Sequence, residues 1–103
     1  HLINNQTLKQ MKSGAILVNT ARGPVVDETA VVEALRNGHL GGYGADVFEN
    51  EPDPHPELLQ MENVLLTPHI ASATVAARMD MGKLAISNLL TALAGQIPPN
   101  LVK

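Results

Sequence analysis

Three side chains of different chemistry follow three short apolar runs. Arg22 comes after Ala15-Ile16-Leu17-Val18, Glu51 after Gly44-Ala45-Asp46-Val47-Phe48, and His69 after Val64-Leu65-Leu66. A guanidinium offers a planar, bidentate fork to a carboxylate. An imidazole moves a proton near neutrality, and a carboxylate beside it stabilises the imidazolium. If the runs are parallel strands of one sheet, their carboxyl ends share an edge, and open α/β sheets bind ligands at that edge. Alone, Arg22 is an ordinary surface arginine beside the Gly23-Pro24 turn, and His69 an ordinary core histidine. Three such residues at neighbouring strand ends make a catalytic set the better reading.

The other polar candidates read differently. Glu49 and Glu51 share one acidic loop, which by itself is a solvated charge run. A paired-carboxylate glycosidase would need a facing carboxylate and aromatic sugar platforms, and the sequence offers neither. Asp46 falls inside an apolar strand, so it is either a structural hydrogen-bond acceptor or a ligand contact. His1, His39, His55 and His69 show no metal-ligand spacing, and there is no cysteine, so no metal site is expected. His39 follows a helix end and reads as structural; His55, in the proline-rich loop, is expected in solvent. Gly41-Gly42-Tyr43-Gly44 leads into a strand instead of opening a helix, so it is no phosphate loop, and no GxGxxG is present.

These residues need a scaffold, and the pattern supplies one. Residues 5–12 read as a short helix capped by Asn4 or Asn5, with Gly14 as a left-handed stop. Residues 15–19 read as a buried strand, apolar on both faces. Asp27 caps a helix over 28–37, whose apolar face is Val31, Val32, Ala34 and Leu35 and whose stop is Gly38. A strand over 41–47 is glycine-rich because the backbone approaches something closely. Three prolines make 49–57 a surface loop, one helical turn fits 57–61, and 64–67 is the third strand. From about residue 72 to 94 the chain reads as one helix, ended by Gly95 and barred from resuming by Pro98-Pro99. The alternation predicts an α/β fold, a parallel sheet with flanking helices as crossovers and a long C-terminal helix.

Bulk properties bound the partners. Forty-five per cent hydrophobic and 17 per cent charged residues are a globular composition, with an aliphatic core because there are one Tyr, one Phe and no Trp. A net charge of −3 gives no nucleic-acid footprint. No run is long enough for a membrane span and no signal peptide is visible, so the cytoplasm is the expected compartment. The chain opens on His1, and three strands leave open sheet edges. It reads as a piece of a longer chain, with the rest of the sheet in sequence beyond these residues.

Met11 to Gly23, then Val26-Asp27-Glu28, Gly38-His39-Leu40, Asp46 to Pro52, and Asn63 to Ser72 stand in an order that resembles the D-isomer-specific 2-hydroxyacid dehydrogenases, in their glyoxylate/hydroxypyruvate reductase and 2-ketoacid reductase branch. The resemblance implies Arg22, Glu51 and His69 as catalytic residues; the glutamate before proline selects Glu51 over Glu49. It implies cofactor contacts at Thr20, Ala21, Arg22, Asp46 (to the nicotinamide amide), His69, Ala71 and Ser72. NAD or NADP, a small 2-oxo or 2-hydroxy acid substrate and a homodimer follow from it as expectations. So does a partial Rossmann-like parallel sheet in a fragment of a larger two-domain protein. Residues 1–72 are then the C-terminal half of the dinucleotide-binding domain, and 73–103 the long helix and tail that return toward the substrate domain. Some family relatives are NAD-sensing corepressors that carry an aromatic after the histidine turn. Ala71-Ser72-Ala73 stands here and favours an enzyme. The 103 residues alone are expected to be inactive.

Overall fold

The computed structural model describes residues 1–102, which divide into two units, residues 1–71 and residues 72–102. The first holds helix α1 (Asn5–Leu8), strand β1 (Ala15–Asn19), helix α2 (Glu28–Arg36), strand β2 (Leu40–Ala45) and strand β3 (Val64–Leu66); the second holds helix α3 (Val75–Leu93).

The sheet is parallel throughout, in the order β1-β2-β3. Parallel neighbours need a crossover, and α2 provides the one between β1 and β2. Asp27 caps α2 by accepting the Ala30 N–H at 3.0 Å, and Gly38 lies just beyond its end at φ 75°. The buried face of α2 (Ala30, Val31, Ala34, Leu35) packs with Leu8, Val26, Leu40, Tyr43, Ala45, Phe48 and Leu58. Burying one such aliphatic side chain stabilises the fold by about 1.5–3 kcal/mol. The glycines of β2 do mark close approach: a Cβ on Gly41 would lie 2.5 Å from the Gly14 carbonyl oxygen.

The structure corrects the expected elements at several points. α1 stops at Leu8, not residue 12, because the next two bonds tighten: Gln10 and Met11 donate to Thr7 and Leu8, three residues back. β1 is not buried on both faces. Ile16 is 72% and Val18 65% exposed, since α2 covers only the other side of the sheet. Instead of lying in solvent, His55 is half-buried, with its backbone tied to α2. His39 is structural as expected, through a 2.8 Å contact of Nε2 with the Leu8 carbonyl oxygen.

In the second unit Thr74 caps α3 by accepting the Ala77 N–H at 3.2 Å, and Gly95 follows the helix at φ 73°. No helix among the described residues is long and apolar enough to cross a membrane.

Candidate active site

β1 ends in Asn19, whose buried side chain organises the turn after it. Its Oδ1 accepts the Ala21 N–H at 3.1 Å and its Nδ2 donates to the Arg22 carbonyl at 3.1 Å. The turn therefore presents Thr20, Ala21 and Arg22 at the carboxyl edge of the sheet, all exposed. Arg22 folds Nη1 onto the Ala21 carbonyl at 2.6 Å and makes no ion pair among the described residues. Its fork remains available to an anion. Gly23 must be glycine: a Cβ there would overlap the Phe48 backbone carbonyl.

β2 runs into Asp46, and the loop beyond carries Glu51. The Glu51 carboxylate accepts the Phe48 N–H at 3.3 Å through Oε1 and meets His69 Nδ1 at 3.0 Å through Oε2. It is held below the ordinary glutamate range, first by the hydrogen bond from His69, and further by the Phe48 N–H and the charges of His69 and Arg22. All three candidate catalytic residues thus come within electrostatic reach of one another. Phe48, Glu51, Pro52, Pro68 and His69 line a hollow of about 110 Å³.

His69 adopts φ 54°, a left-handed conformation uncommon for a residue with a Cβ. Asp46 holds it there. Oδ1 accepts the Thr67 hydroxyl at 2.5 Å and the Ile70 N–H at 2.8 Å, while Oδ2 accepts the Ala71 N–H at 2.8 Å. The Thr67 hydroxyl is the main reason that the Asp46 carboxyl sits below its ordinary range. The Ile70 and Ala71 amides and the His69 charge reinforce it against the cost of burial. A carboxylate offers about four acceptor positions, so one remains after these three bonds. Beside it Val18, Thr20, Gly44, Ala45, Asp46, Leu65 and Thr67 border a second hollow of about 120 Å³. The hollow is mostly apolar, with Thr20, Asp46 and Thr67 as its polar groups. Ser72 opens the second unit and is described apart from this site.

Sequence reasoning missed Glu28. It is 3% exposed and receives the backbone N–H groups of Glu49 and His55 at 3.1 and 3.0 Å. The signal was present, because Glu28 shares a helical stripe with Val31, Val32 and Leu35. Glu49 is no solvated charge either: its carboxylate takes the Glu28 N–H at 3.3 Å and His1 Nε2 at 2.6 Å.

A parallel sheet with a guanidinium, a carboxylate–imidazole pair and an apolar hollow at its carboxyl edge is a ligand-binding domain of the open α/β class. Residues 1–71 match the sequence profile of the D-isomer specific 2-hydroxyacid dehydrogenases, NAD binding domain, and the chain belongs to that family. It is 55% identical over 104 aligned residues to glyoxylate reductase of Thermofilum pendens, covering 99% of this chain and 30% of that protein. The NADPH-dependent glyoxylate/hydroxypyruvate reductase of Sinorhizobium meliloti, solved with NADP and malonate, superposes with a TM-score of 0.80 at 45% identity, over 86% of this chain and 28% of that one. A D-isomer specific 2-hydroxyacid dehydrogenase from Xanthobacter autotrophicus, solved with NADPH and MES, gives a TM-score of 0.86 at 41% identity, over 99% of this chain and 42% of that one. The chain spans about a third of the length of the curated relatives it matches.

Proposed function

We propose that the protein containing this chain is an NAD(P)-dependent D-2-hydroxyacid dehydrogenase, reducing a small 2-oxo acid of the glyoxylate or hydroxypyruvate kind. The observation that carries this reading is the 3.0 Å contact of Glu51 with His69, made where the Arg22 charge also reaches Glu51. The names of the related reductases support the substrate class. The hollow beside Asp46 and Thr20 supports the cofactor: the free acceptor position of Asp46 would take an amide N–H. Ala21, Arg22, His69 and Ala71 are the further contacts that the family resemblance implies, as it does, separately, for Ser72. When bound, the nicotinamide supplies hydride to the carbonyl carbon.

The chain's own residues do the rest. Arg22 binds the substrate carboxylate with its fork and polarises the keto oxygen. With Nδ1–H donated to Glu51, the other ring nitrogen of His69 carries the proton that the developing alkoxide takes. Glu51 stays ionised because its carboxyl lies below the ordinary range, so the imidazolium keeps its partner throughout. A homodimer in the cytoplasm, without nucleic-acid or membrane partners, belongs to the same proposal and rests on the family resemblance.

Replacing His69 by Ala in the full-length protein should lower turnover about 10²–10⁴-fold, with NAD(P)H still bound. Near-normal reduction of glyoxylate or hydroxypyruvate by that variant would overturn the assignment.

A further inference from the structure

Glu28 takes no part in the proposed chemistry, yet it is one of the most buried carboxylates, 3% exposed at the first turn of α2. A carboxylate placed there destabilises the fold unless its oxygens are hydrogen-bonded. Here Oε1 accepts the Glu49 N–H at 3.1 Å and Oε2 the His55 N–H at 3.0 Å, while the Glu28 N–H returns a bond to Glu49 Oε2 at 3.3 Å. Residues 49 and 55 bracket a short segment closed on itself by the Asp53 N–H donating to the Asn50 carbonyl at 3.0 Å. Glu51 rides on that segment. Beyond it Leu58, 1% exposed, donates its N–H to the His55 carbonyl and seats the far stem in the core.

We infer that Glu28 is a positioning residue: by fastening both stems of the 50–54 segment to α2, it holds the Glu51 carboxylate against His69. The inference rests on reading Glu51 and His69 as the proton-transferring pair. The segment lacks regular backbone pairing apart from its one bridge, so side-chain ties must fix it. Among the described residues Glu51 itself has only the Phe48 N–H and His69 as partners. A charge-assisted bond to each stem is the strongest restraint available, about twice a neutral bond. The groups facing Glu28 are Tyr43, Glu49 and His55. Burial, and then the Glu28 charge, pushes the Tyr43 phenol up to about 12, so it stays neutral beside this carboxylate. The charged groups near His69 are Glu51 and Asp46, with Arg22 acting at Glu51.

The test is a ¹³C-carboxyl NMR titration of the full-length protein, the Glu51 signal being identified by its loss in Glu51→Gln. Glu28→Gln keeps the shape but only one acceptor, and releases one stem. Glu28→Asp, which retracts both acceptors by one methylene, serves if the amide variant does not fold. In either variant the Glu51 titration midpoint should rise toward the ordinary carboxylate range. Turnover should fall, by up to about 10²-fold where the carboxylate is displaced by ~1 Å. In a Glu51→Gln background the same substitution should slow turnover no further. A Glu51 midpoint that does not move overturns the inference whatever happens to turnover. Equal losses in both backgrounds, or loss of the native fold in both variants, make Glu28 merely structural and overturn it too. Normal turnover of His69→Ala would instead sink the dehydrogenase reading, and the Glu51 midpoint would still decide the role of Glu28.

Discussion

The carboxylate of Asp46 shows how one side chain sets the geometry of another. It gathers the Thr67 hydroxyl and the Ile70 and Ala71 amides, and His69 is thereby kept in its left-handed turn. These donors favour the ionised form, so the folded pKa lies below the unfolded one, about 3.9 for an aspartate. The stabilisation is then fully present above the unfolded value and is lost as pH falls through the lowered folded value. Asp46→Asn removes an acceptor and the charge. The variant should melt below the parent at pH 7, and the gap in Tm should close in acid below the ordinary aspartate range. Calorimetry on the full-length protein at both pH values checks this, and a gap independent of pH would rule out the charge as its source. The sequence made Asp46 either structural or a ligand contact, and the structure supplies the first role while leaving one acceptor position for the second. That Arg22, the Glu49/Glu51 loop and His69 meet at one sheet edge was legible because each follows an apolar run, where a strand must end. The choice of Glu51 came from the family resemblance, and the catalytic role of the three is the proposal. Glu28 and Asn19 were not legible, because their work is done on backbone groups brought near only by the fold.

Elements fix the site through close backbone contact as much as through side chains. Gly23 begins the turn that follows Arg22 and lies against the Phe48 carbonyl, so the β1 and β2 ends touch without any intervening atom. Gly23→Ala must push these two turns apart. Overpacking of this kind costs about 1–3 kcal/mol, and here it would also part Arg22 from Glu51. We expect a lower urea midpoint together with a raised KM for the 2-oxo acid. An unchanged KM in a destabilised variant would show that the spacing of the two turns does not serve the substrate. Helices and strands came out of the sequence because their periods, caps and glycine stops agree. Burial did not come out equally well. An apolar strand reads as covered on both faces, whereas within the first unit α2 covers one face of β1.

At the scale of the whole chain, the aliphatic content exceeds what the two units bury. Ile16, Val18 and Leu65 project from the uncovered sheet face with exposures of 72%, 65% and 72%, and α3 has no buried residue at all. An apolar sheet face exposed in this way is uncommon on a monomeric protein in water and drives association. The chain also carries no GxGxxG turn to receive a pyrophosphate. Expressed as a 103-residue polypeptide, it should therefore self-associate, bind an apolar fluorescent dye and reduce no 2-oxo acid. Converting Ile16, Val18 and Leu65 together to Thr removes the apolar stripe while keeping β-compatible side chains. That triple variant should bind less dye and sediment as a smaller species than the parent polypeptide. If the parent sediments as a monomer without binding dye, the open sheet face is not the sticky surface its composition implies.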